Sequence, residues 1–512
     1  MSIAVTDWVA HHAYAKPDHL ALLDQASGRN FTYADMHERV ARTAGMLKAK
    51  GIKPGDRVAF LMLNSSDLME VVFGCWRIGA VCLALNFRLT APELTFILND
   101  AEASMVVVDD AFADMAEALK GTTSVSHFVR TDCMGGDSDY EKGLATAEPV
   151  YDFHPQVMED QCMLMYSSGT TGMPKGVIIT HGMMYFAPAS GGRAGGMQPD
   201  NVTLNNMPLF HIGAMNVTAC PTIWIGATLV IQRMFDLEAT LDTINDPDLG
   251  VTTLFMVPAA YNALRQHPKA NSTDYSRIRN ALTGGAAVPT ELVNWWLEKG
   301  LVIQEGYGMT ETAGAGTILF KEDIPQRVGS CGRYLMHSEI KIVGEDGETC
   351  PPDETGEIWF RGATVTPGYW RREDANAESF VDGWFKSGDI GRMDAQGYIT
   401  IEDRIKDMYI SGGENVYPAE VENLLYQMPQ IVEVAVIGVP DSRWGETGCV
   451  VAVVKPDTDL SLKDILDHVG DSLGKFKWPN HLHILPILPR NASGKVLKFQ
   501  LRDEVTPQLN LT

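Results

Sequence analysis

A chain of 512 residues with 45% hydrophobic and 21% charged residues is too long for a single core, and it predicts a globular protein of several domains. Its net charge of −24 argues against nucleic acid or an anionic membrane as the main partner. The eight cysteines include no C-x-x-C pair, so they indicate neither a disulfide framework nor a zinc site, and we expect a cytoplasmic protein.

Two segments have features that bear on targeting or membrane insertion. The first 19 residues contain Asp7 and lack a basic start and an unbroken apolar stretch, so no signal peptide is expected. The segment 201–232 contains no Asp, Glu, Lys or Arg, but Pro208 and Pro221 interrupt it. We therefore predict a buried domain interior there and no transmembrane segment.

The order of predicted elements indicates an α/β protein. Up to about residue 320, helical patterns alternate with short β-branched runs, which predicts mostly parallel sheets covered by helices. Helices are predicted at 33–50 and 69–78, and strands at 57–61, 80–83, 105–108, 162–166, 228–231, 253–256 and 301–303. Because ligands bind at the carboxyl ends of such strands, we expect the functional site there.

The texture of the sequence changes after residue 328. Closely spaced Gly and Asp-Gly turns at about 329–401 predict a small β-rich subdomain. An α+β pattern follows, with helices at 418–427 and 462–473 and strands at 431–439 and 449–454. We predict an N-terminal domain over 1–402, a hinge at 403–406 and a C-terminal domain over 407–512.

The most informative motif is YSSGTTGMPKG at 166–176. Glycines let a backbone turn its N–H groups toward one anion, and hydroxyls and a lysine add donors, so this composition predicts a polyphosphate site, with ATP as the first candidate. The motif is not a Walker loop, because β-branched residues typical of a strand follow it instead of a helix. A flexible surface turn is the alternative. The residues proposed to bind phosphate are Ser167, Ser168, Gly169, Thr170, Thr171, Gly172 and Lys175.

A second motif is QEGYGMTET at 304–312. Tyr307 lies between Gly306 and Gly308, where its ring could stack on a base, and Thr310 and Glu311 offer a hydroxyl and a carboxylate to a phosphate and its magnesium ion. The alternative is an ordinary glycine turn.

Three further motifs are weaker individually. Asp389 in SGDI could accept two ribose hydroxyls or only form a local Asx turn. The segment 403–418 contains paired charges and Gly412-Gly413, and its alternative is a solvated linker. Lys495 in PRNASGKV lies on a loop of small residues, where a lysine is usually a solubilising charge.

All five motifs, from Tyr166 to Val496, have the order and spacing of one family, so the whole chain resembles the adenylate-forming enzymes, which include acyl-CoA synthetases, luciferases and adenylation domains. It looks most like bacterial fatty-acyl-CoA ligases and, less closely, 4-coumarate:CoA ligases. The resemblance implies a large N-terminal domain of two helix-covered sheets with a small β-barrel-like subdomain, and a small mobile C-terminal domain. It also implies ATP, Mg²⁺ and coenzyme A as co-substrates, with an acyl-adenylate formed first and a thioester second.

The resemblance assigns a role to each motif. Lys495 is implied as the principal group for adenylation, and the 167–175 loop as the holder of the β- and γ-phosphates. The remaining assignments are Tyr307 on adenine beside Gly285, Ala286 and Ala287, Thr310 on the α-phosphate, Glu311 on magnesium, Asp389 and Arg404 on ribose, Lys406 as the hinge, and Gly412 and Gly413 on the pantetheine channel. Many relatives have Gln where this chain has Glu305, so the contact at this edge of the nucleotide stays open.

The acyl pocket is implied to involve His211, Gly213, Met215, Val257 and Gly284. A tyrosine shapes the phenyl slot of 4-coumarate ligases at the position of Gly213, so its absence favours a medium- to long-chain fatty acid or a similar apolar acid. Methionine is more often core filler, and His211 could gate the pocket or be a buried, satisfied histidine.

Several alternatives remain open at this stage. An aryl or short-chain acid could be the substrate, or the acyl group could be loaded onto a carrier protein in trans. A luciferase-like oxygenase and a non-catalytic nucleotide-binding protein are less favoured. The oligomeric state is left open, with a homo-oligomer possible.

Overall fold

The computed structural model describes residues 2–167, 174–314, 316–404, 407–411, 414–441, 444–490 and 495–509, with only the backbone described at 403, 404 and 471. The helices are α1 Trp8–Ala15, α2 Tyr33–Ala49, α3 Ser66–Arg77, α4 Ala91–Asp100, α5 Ala113–Lys120, α6 Asp139–Thr146, α7 His181–Ala187, α8 Cys220–Ile225, α9 Leu237–Asn245, α10 Pro258–Gln266, α11 Thr290–Glu298, α12 Glu373–Ser379, α13 Pro418–Leu425, α14 Leu462–Val469 and α15 Lys498–Val505.

Strands alternate with these helices over the first 300 residues. The strands are β1 Leu20–Asp24, β2 Arg29–Thr32, β3 Arg57–Leu61, β4 Val81–Ala84, β5 Ala103–Asp109, β6 His127–Thr131, β7 Gln161–Ser167, β8 Lys175–Thr180, β9 Val202–Asn205, β10 Thr228–Ile231, β11 Thr253–Met256, β12 Asn280–Thr283, β13 Ile303–Tyr307, β14 Thr317–Ile318, β15 Arg333–Tyr334, β16 Ser338–Val343, β17 Thr355–Gly362, β18 Phe380–Val381, β19 Trp384–Met393, β20 Ile399–Arg404, β21 Tyr409–Ser411, β22 Glu414–Val416, β23 Ile431–Asp441, β24 Gly445–Val454 and β25 Pro479–Ile484.

Two large sheets form the N-terminal part, as predicted. Among the described residues, one sheet has the order β15-β14-β13-β12-β11-β9-β10-β1-β2, and its strands from β13 to β1 run parallel. The other has the order β6-β5-β3-β4-β7-β8 and is parallel except for β8, which returns antiparallel to β7. One hydrophobic cluster contains residues of both sheets, so they share a core.

Local signals in the sequence explain where the covering helices begin. The Thr32 side chain accepts a hydrogen bond from the backbone N–H of Asp35, and the Asp35 carboxylate accepts one from the N–H of Thr32, which is a capping box at the start of α2. Ser65 caps α3 through the N–H of Leu68. Every residue of α3 is buried, so this helix lies in the interior of the domain.

The segment 201–232 is the interior that the sequence predicted. Its strands β9 and β10 lie side by side in the middle of the large sheet, and polar side chains such as Thr203 and Asn205 are buried there. No helix among the described residues is long and apolar enough to span a membrane.

The β-rich subdomain and the C-terminal domain also follow the prediction. Strands β16 to β20 form an antiparallel sheet, and β21 to β25 form a separate sheet against which α13 packs. Both predicted helices of this domain end early: α13 ends at Leu425, not at residue 427, and α14 at Val469, not at residue 473. Gly470 leaves the helical conformation, with φ 14° and ψ −113°.

Candidate active site

The candidate site includes residues that follow β12 and residues at the carboxyl end of β13, and the sequence predicts a ligand at such strand ends. Gly284 follows β12, and a Cβ atom there would lie 2.5 Å from the carbonyl oxygen of Gly306, so only glycine fits between the strands. The next residue, Gly285, has φ +83°, which favours glycine. These glycines let the backbone turn beside Tyr307, while Ala286 is half-buried and Ala287 is exposed.

Strand β13 begins at Ile303, where the predicted strand 301–303 ends, and carries the aromatic residue of the motif. It pairs with β12 up to Glu305 and reaches Tyr307 because Gly306 and Tyr307 pair with β14. The Tyr307 hydroxyl donates a 2.6 Å hydrogen bond to Oδ2 of Asp389. Burial, and then the nearby Asp389 carboxylate, raises the pKa of Tyr307 well above its ordinary value, so the phenol stays protonated and keeps donating.

Asp389 belongs to β19 and is paired in register with Arg404 of β20. The structure therefore joins two predicted nucleotide residues, Tyr307 and Asp389, from elements 82 residues apart in the chain. For Arg404 it describes the backbone alone, next to Asp389. Gly308 is half-buried directly after Tyr307.

Glu311 lies on a short 3-10 turn, Thr310–Thr312, and contacts a residue that the sequence analysis missed. The Tyr369 hydroxyl donates to Oε1 of Glu311 over 3.0 Å. The ammonium of Lys175, at the start of β8, lies 5.3 Å from the centre of the Tyr369 ring. Tyr369 follows Gly368 outside the five motifs, and only its Gly-Tyr-Trp context could have drawn attention to it.

The oxygen donors of this turn suit magnesium. Mg²⁺ usually keeps several waters and binds through one or two carboxylates together with substrate phosphates. The described residues contain no cluster of three or more His, Cys, Asp or Glu that could hold a metal alone. Glu311 with the hydroxyl of Thr310 beside it fits an ion that arrives with a nucleotide.

The predicted acyl pocket lies around a π-helical turn, Gly213–Ala219. The backbone N–H of Gly213 donates to Nδ1 of His211 over 3.2 Å, which leaves the proton of the neutral ring on Nε2. Burial lowers the pKa of His211 to about 4, so the ring is neutral near pH 7. Turns of this kind are frequent at functional sites.

Phe255 on β11, which was not among the predicted pocket residues, lies beside one of them, Gly213. A Cβ atom on Gly213 would lie 3.1 Å from Cε1 and Cζ of the Phe255 ring. The ring is half-buried, while its neighbours Leu254 and Met256 are buried. An aromatic wall therefore stands beside Gly213, supplied by a neighbouring strand.

The other predicted pocket residues differ in their surroundings. Val257 is half-buried and precedes α10. Met215 is fully buried, and its Sδ lies 3.5 Å from Sγ of Cys220. Gly284 is buried between β12 and β13.

Glu305 lies two residues before Tyr307 on β13 and pairs in register with Thr283. Its side chain is half-buried, and burial raises its pKa to about 8. The hydroxyl oxygen of Thr283 is buried without a hydrogen-bond partner among the described residues. Strand β13 therefore carries, two residues before Tyr307, a carboxyl group that is mostly protonated at neutral pH.

Lys495 lies near the C-terminal end of the chain, three residues before α15. It precedes Val496, which forms an isolated antiparallel bridge with Arg490, and its side chain is half-buried. Ser167 ends β7 and is half-buried. The predicted residues Ser168, Gly169, Thr170, Thr171, Gly172, Lys406, Gly412 and Gly413 lie outside the described residues.

Comparison with known proteins matches most of the chain to one enzyme family. Residues 9–370 match the family model of the AMP-binding enzymes, and residues 420–495 match that of their C-terminal domain. The chain is 39% identical to a feruloyl-CoA synthase of Amycolatopsis over 97% of this chain and 98% of that protein. It is 36% identical to the long-chain-fatty-acid–CoA ligase FadD13 of Mycobacterium tuberculosis over 96% of both chains, and 35% identical to an indoleacetate–CoA ligase of Aromatoleum aromaticum over 98% of both.

Solved structures give the same result. The o-succinylbenzoate CoA synthetase (MenE) of Bacillus subtilis, in complex with its acyl-adenylate intermediate, superposes with a TM-score of 0.87 at 32% identity over 98% of both chains. The same enzyme in complex with ATP and a magnesium ion also gives 0.87, over 98% of this chain and 100% of that one. These matches confirm the predicted fold, the predicted class of AMP-forming acid–thiol ligases, and ATP, Mg²⁺ and coenzyme A as its co-substrates. The chain belongs to the AMP-binding enzyme family.

Proposed function

We propose that the protein is an acyl-CoA ligase that activates an apolar carboxylic acid at the edge formed by β12, β13 and β19. The contact from Tyr307 to Asp389 carries the proposal. The Tyr307 hydroxyl donates to Oδ2 of Asp389 over 2.6 Å, so an aromatic ring that can stack on adenine stands beside a carboxylate that can accept hydrogen bonds from ribose hydroxyls. The acid attacks the α-phosphorus of ATP, pyrophosphate leaves, the CoA thiol attacks the activated carbonyl, and AMP leaves.

The chain's own residues divide this work between binding and electrostatic stabilisation. Tyr307 offers its ring to adenine, and Asp389 accepts hydrogen bonds from the ribose. Thr310 lies beside the α-phosphate, and Glu311 orients the magnesium that accompanies the nucleotide. Lys175 and the loop before it meet the departing pyrophosphate. Preorganised positive charge is the main source of acceleration in phosphoryl chemistry of this kind.

Lys495 is proposed to enter this edge from the C-terminal domain for the first step. Its ammonium then bridges the acid carboxylate and the α-phosphate, so the acid needs no dedicated arginine. For the second step the domain turns about Lys406, and Gly412 and Gly413 line the channel for the pantetheine arm. The hinge, the domain boundaries and these roles rest on the family resemblance.

The acid is proposed to be apolar, and two classes compete. The glycine at 213 favours a medium- to long-chain fatty acid, as the sequence analysis expected. The Phe255 ring, 3.1 Å from the position of a Gly213 Cβ, favours an aryl acid, because it supplies a flat wall that the glycine itself lacks. Relatives named for ferulate and indoleacetate support the second class, and FadD13 supports the first.

The test is AMP formation that depends on both acid and coenzyme A, followed by kcat/KM for a panel of acids. The panel includes cinnamic, 4-hydroxycinnamic and indoleacetic acids, and saturated fatty acids from hexanoic to palmitic. A preference of more than about tenfold for the aryl acids selects that class. If AMP forms from acid and ATP but no CoA thioester appears, the enzyme loads a carrier protein in trans. If no acid yields AMP, the proposed function is wrong.

A further inference from the structure

The segment 366–370 is hydrogen-bonded both to β8, which begins at Lys175, and to the turn Thr310–Thr312, which carries Glu311. On one side, the backbone N–H of Ile178 donates to the carbonyl of Gly368 over 3.1 Å, and that of Trp370 donates to the carbonyl of Gly176 over 2.7 Å. This side belongs to β8, which begins at Lys175 and follows the phosphate loop. The segment therefore acts as an extra partner for the strand that carries Lys175.

The same segment is also hydrogen-bonded to the turn Thr310–Thr312. The backbone N–H of Thr366 donates to the carbonyl of Glu311 over 2.8 Å, and the Thr366 hydroxyl donates to the carbonyl of Ile178 over 2.6 Å. One threonine thus fastens the turn that carries Glu311 to the strand that follows the phosphate loop. These bonds fix the backbone from which Tyr369 projects.

Tyr369 lies between the two charged groups. Its hydroxyl donates to Glu311 over 3.0 Å, and its ring faces the ammonium of Lys175 at 5.3 Å, within the range of a cation–π contact. The side chain is 8% exposed.

Asn376 at the middle of α12 fixes the position of Tyr369. The Asn376 amide accepts from the backbone N–H of Tyr369 over 2.7 Å and donates to its carbonyl over 3.2 Å. A Cβ atom on Gly368 would lie 2.8 Å from Oδ1 of Asn376, so the close approach depends on glycine. The phenol is therefore held from its backbone as well as from its hydroxyl.

We propose that Tyr369 is a positioning residue that aligns Glu311 and Lys175 for magnesium and the β- and γ-phosphates of ATP. This inference rests on the proposed function for the identity of the ligand. A partner that orients a metal-binding carboxylate commonly changes metal affinity by about 10- to 100-fold when it is removed. The Tyr369 hydroxyl contacts Glu311 and its ring contacts Lys175. One substitution that removes only the hydroxyl and another that also removes the ring can therefore separate the two contributions to binding.

The experiment measures binding without turnover, in the full-length protein. Titration calorimetry with α,β-methylene-ATP is carried out at increasing MgCl₂ for wild type, Tyr369→Phe and Tyr369→Leu. Tyr369→Phe keeps the ring and loses the hydroxyl, so we expect half-saturating Mg²⁺ to rise about tenfold while binding of the analogue without Mg²⁺ stays unchanged. Tyr369→Leu also removes the ring, and it is expected to weaken binding both with and without Mg²⁺.

Tyr275→Phe is the matched control. Tyr275 is also buried and donates one hydrogen bond, to the carbonyl of Ala270 over 2.9 Å, and it lies outside the site. It should bind the analogue with wild-type Mg²⁺ dependence. A second variant, Asn376→Ala, releases the backbone of Tyr369 and should raise half-saturating Mg²⁺ in the same direction by a smaller factor, which keeps the test decisive if Tyr369→Phe folds poorly.

The outcomes are distinct. If the Mg²⁺ dependence of Tyr369→Phe and Asn376→Ala equals that of wild type, Tyr369 has no positioning role. If the Mg²⁺ dependence shifts but no acid supports AMP formation, the positioning role stands and the acyl-CoA ligase proposal fails. If AMP forms while the Mg²⁺ dependence is unaltered, only the positioning role is overturned.

Discussion

The nucleotide edge and the acyl pocket differ in how the chain builds them. At the nucleotide edge, the short motifs at 304–312 and 387–390 contain Tyr307, Thr310, Glu311 and Asp389. The hydroxyl of Tyr307 donates to Asp389 over 2.6 Å. The acyl pocket lacks such a motif. The ring that lies beside the predicted pocket residue Gly213 is that of Phe255, which comes from a strand 42 residues later in the sequence.

This difference follows from what each ligand demands. A polyphosphate and a ribose require charges and donors in one geometry, so few residue types fit and a motif results. An apolar acid requires only volume and shape, which many combinations of side chains supply. Sequence motifs therefore identify the nucleotide, whereas packing across strands decides the acid.

The largest expected effect on activity concerns Lys495, which is proposed to contact both the acid carboxylate and the α-phosphate. Lys495→Ala should lower adenylation by about 10²- to 10³-fold, because the charge that meets the acid carboxylate and the α-phosphate is removed. Thioester formation from supplied acyl-adenylate and coenzyme A should stay near the wild-type rate. The check is ATP–pyrophosphate exchange alongside a thioester assay, with Lys463→Ala, an exposed lysine paired with Asp467, as the control.

Normal exchange in Lys495→Ala would contradict the assignment of Lys495. Equal losses in both half-reactions would instead indicate a general defect of the C-terminal domain.

The next effect tests the nucleotide edge alone. Asp389→Ala removes the acceptor for the ribose and for Tyr307, and hydrogen bonds to a charged group are worth ~1.5–3 kcal/mol, so KM for ATP should rise by about 10- to 100-fold. KM for the acid should change little. Steady-state kinetics with each substrate varied will separate the two, and Glu339→Gln, which loses an exposed pair with Arg361 in the same subdomain, serves as control.

If the change in KM fell on the acid instead, Asp389 would belong to the acyl pocket.

Much of the fold was predictable because it rests on local periodicity. The strands Arg57–Leu61, Thr228–Ile231 and Thr253–Met256 have the predicted bounds, since each is a short, mostly apolar run in a parallel sheet. The strand predicted at 301–303 lies instead at Ile303–Tyr307, and its last two residues are in the strand because they pair with β14. Tyr369 and Phe255 were missed for the same reason, since their roles arise from contacts with residues that are distant in sequence.

Gly213→Tyr tests whether Phe255 is the wall of the acyl pocket. Because a Cβ at 213 would already lie 3.1 Å from the Phe255 ring, a tyrosine must displace that ring and reduce the room for the acid. We expect acceptance of shorter acids or a shift toward flat aryl acids, with kcat/KM ratios changed by about 10-fold and KM for ATP preserved.

The double variant with Phe255→Ala should restore part of the lost room. Coupling between the two substitutions, measured as a double-mutant cycle on kcat/KM for two acids, is the sharper check. Unchanged selectivity in Gly213→Tyr would show that the pocket lies elsewhere.

The smallest expected effect concerns Glu305, in the motif at 304–312, and the pH dependence of the free energy of unfolding. Glu305 stands two residues before Tyr307 in the motif, and burial raises its pKa from 4.5 to about 8. The folded state then holds a proton that the unfolded chain releases above about pH 4.5, so the stability from this group is complete below that pH and is lost as the pH rises to about 8 and beyond. Glu305→Gln removes this dependence.

We therefore expect Glu305→Gln to match wild type in urea denaturation at pH 4.5 and to become the more stable protein by ~1–2 kcal/mol at pH 9, a value reduced because the side chain is only half-buried. Glu298→Gln, on α11 in the same region of the chain, should show no such trend. A parallel pH profile for Glu305→Gln and wild type would mean that Glu305 is ionised in the folded protein at neutral pH. The expected divergence would mean that one position inside the motif owes its charge state to burial between neighbouring strands, the same kind of cause that shapes the acyl pocket.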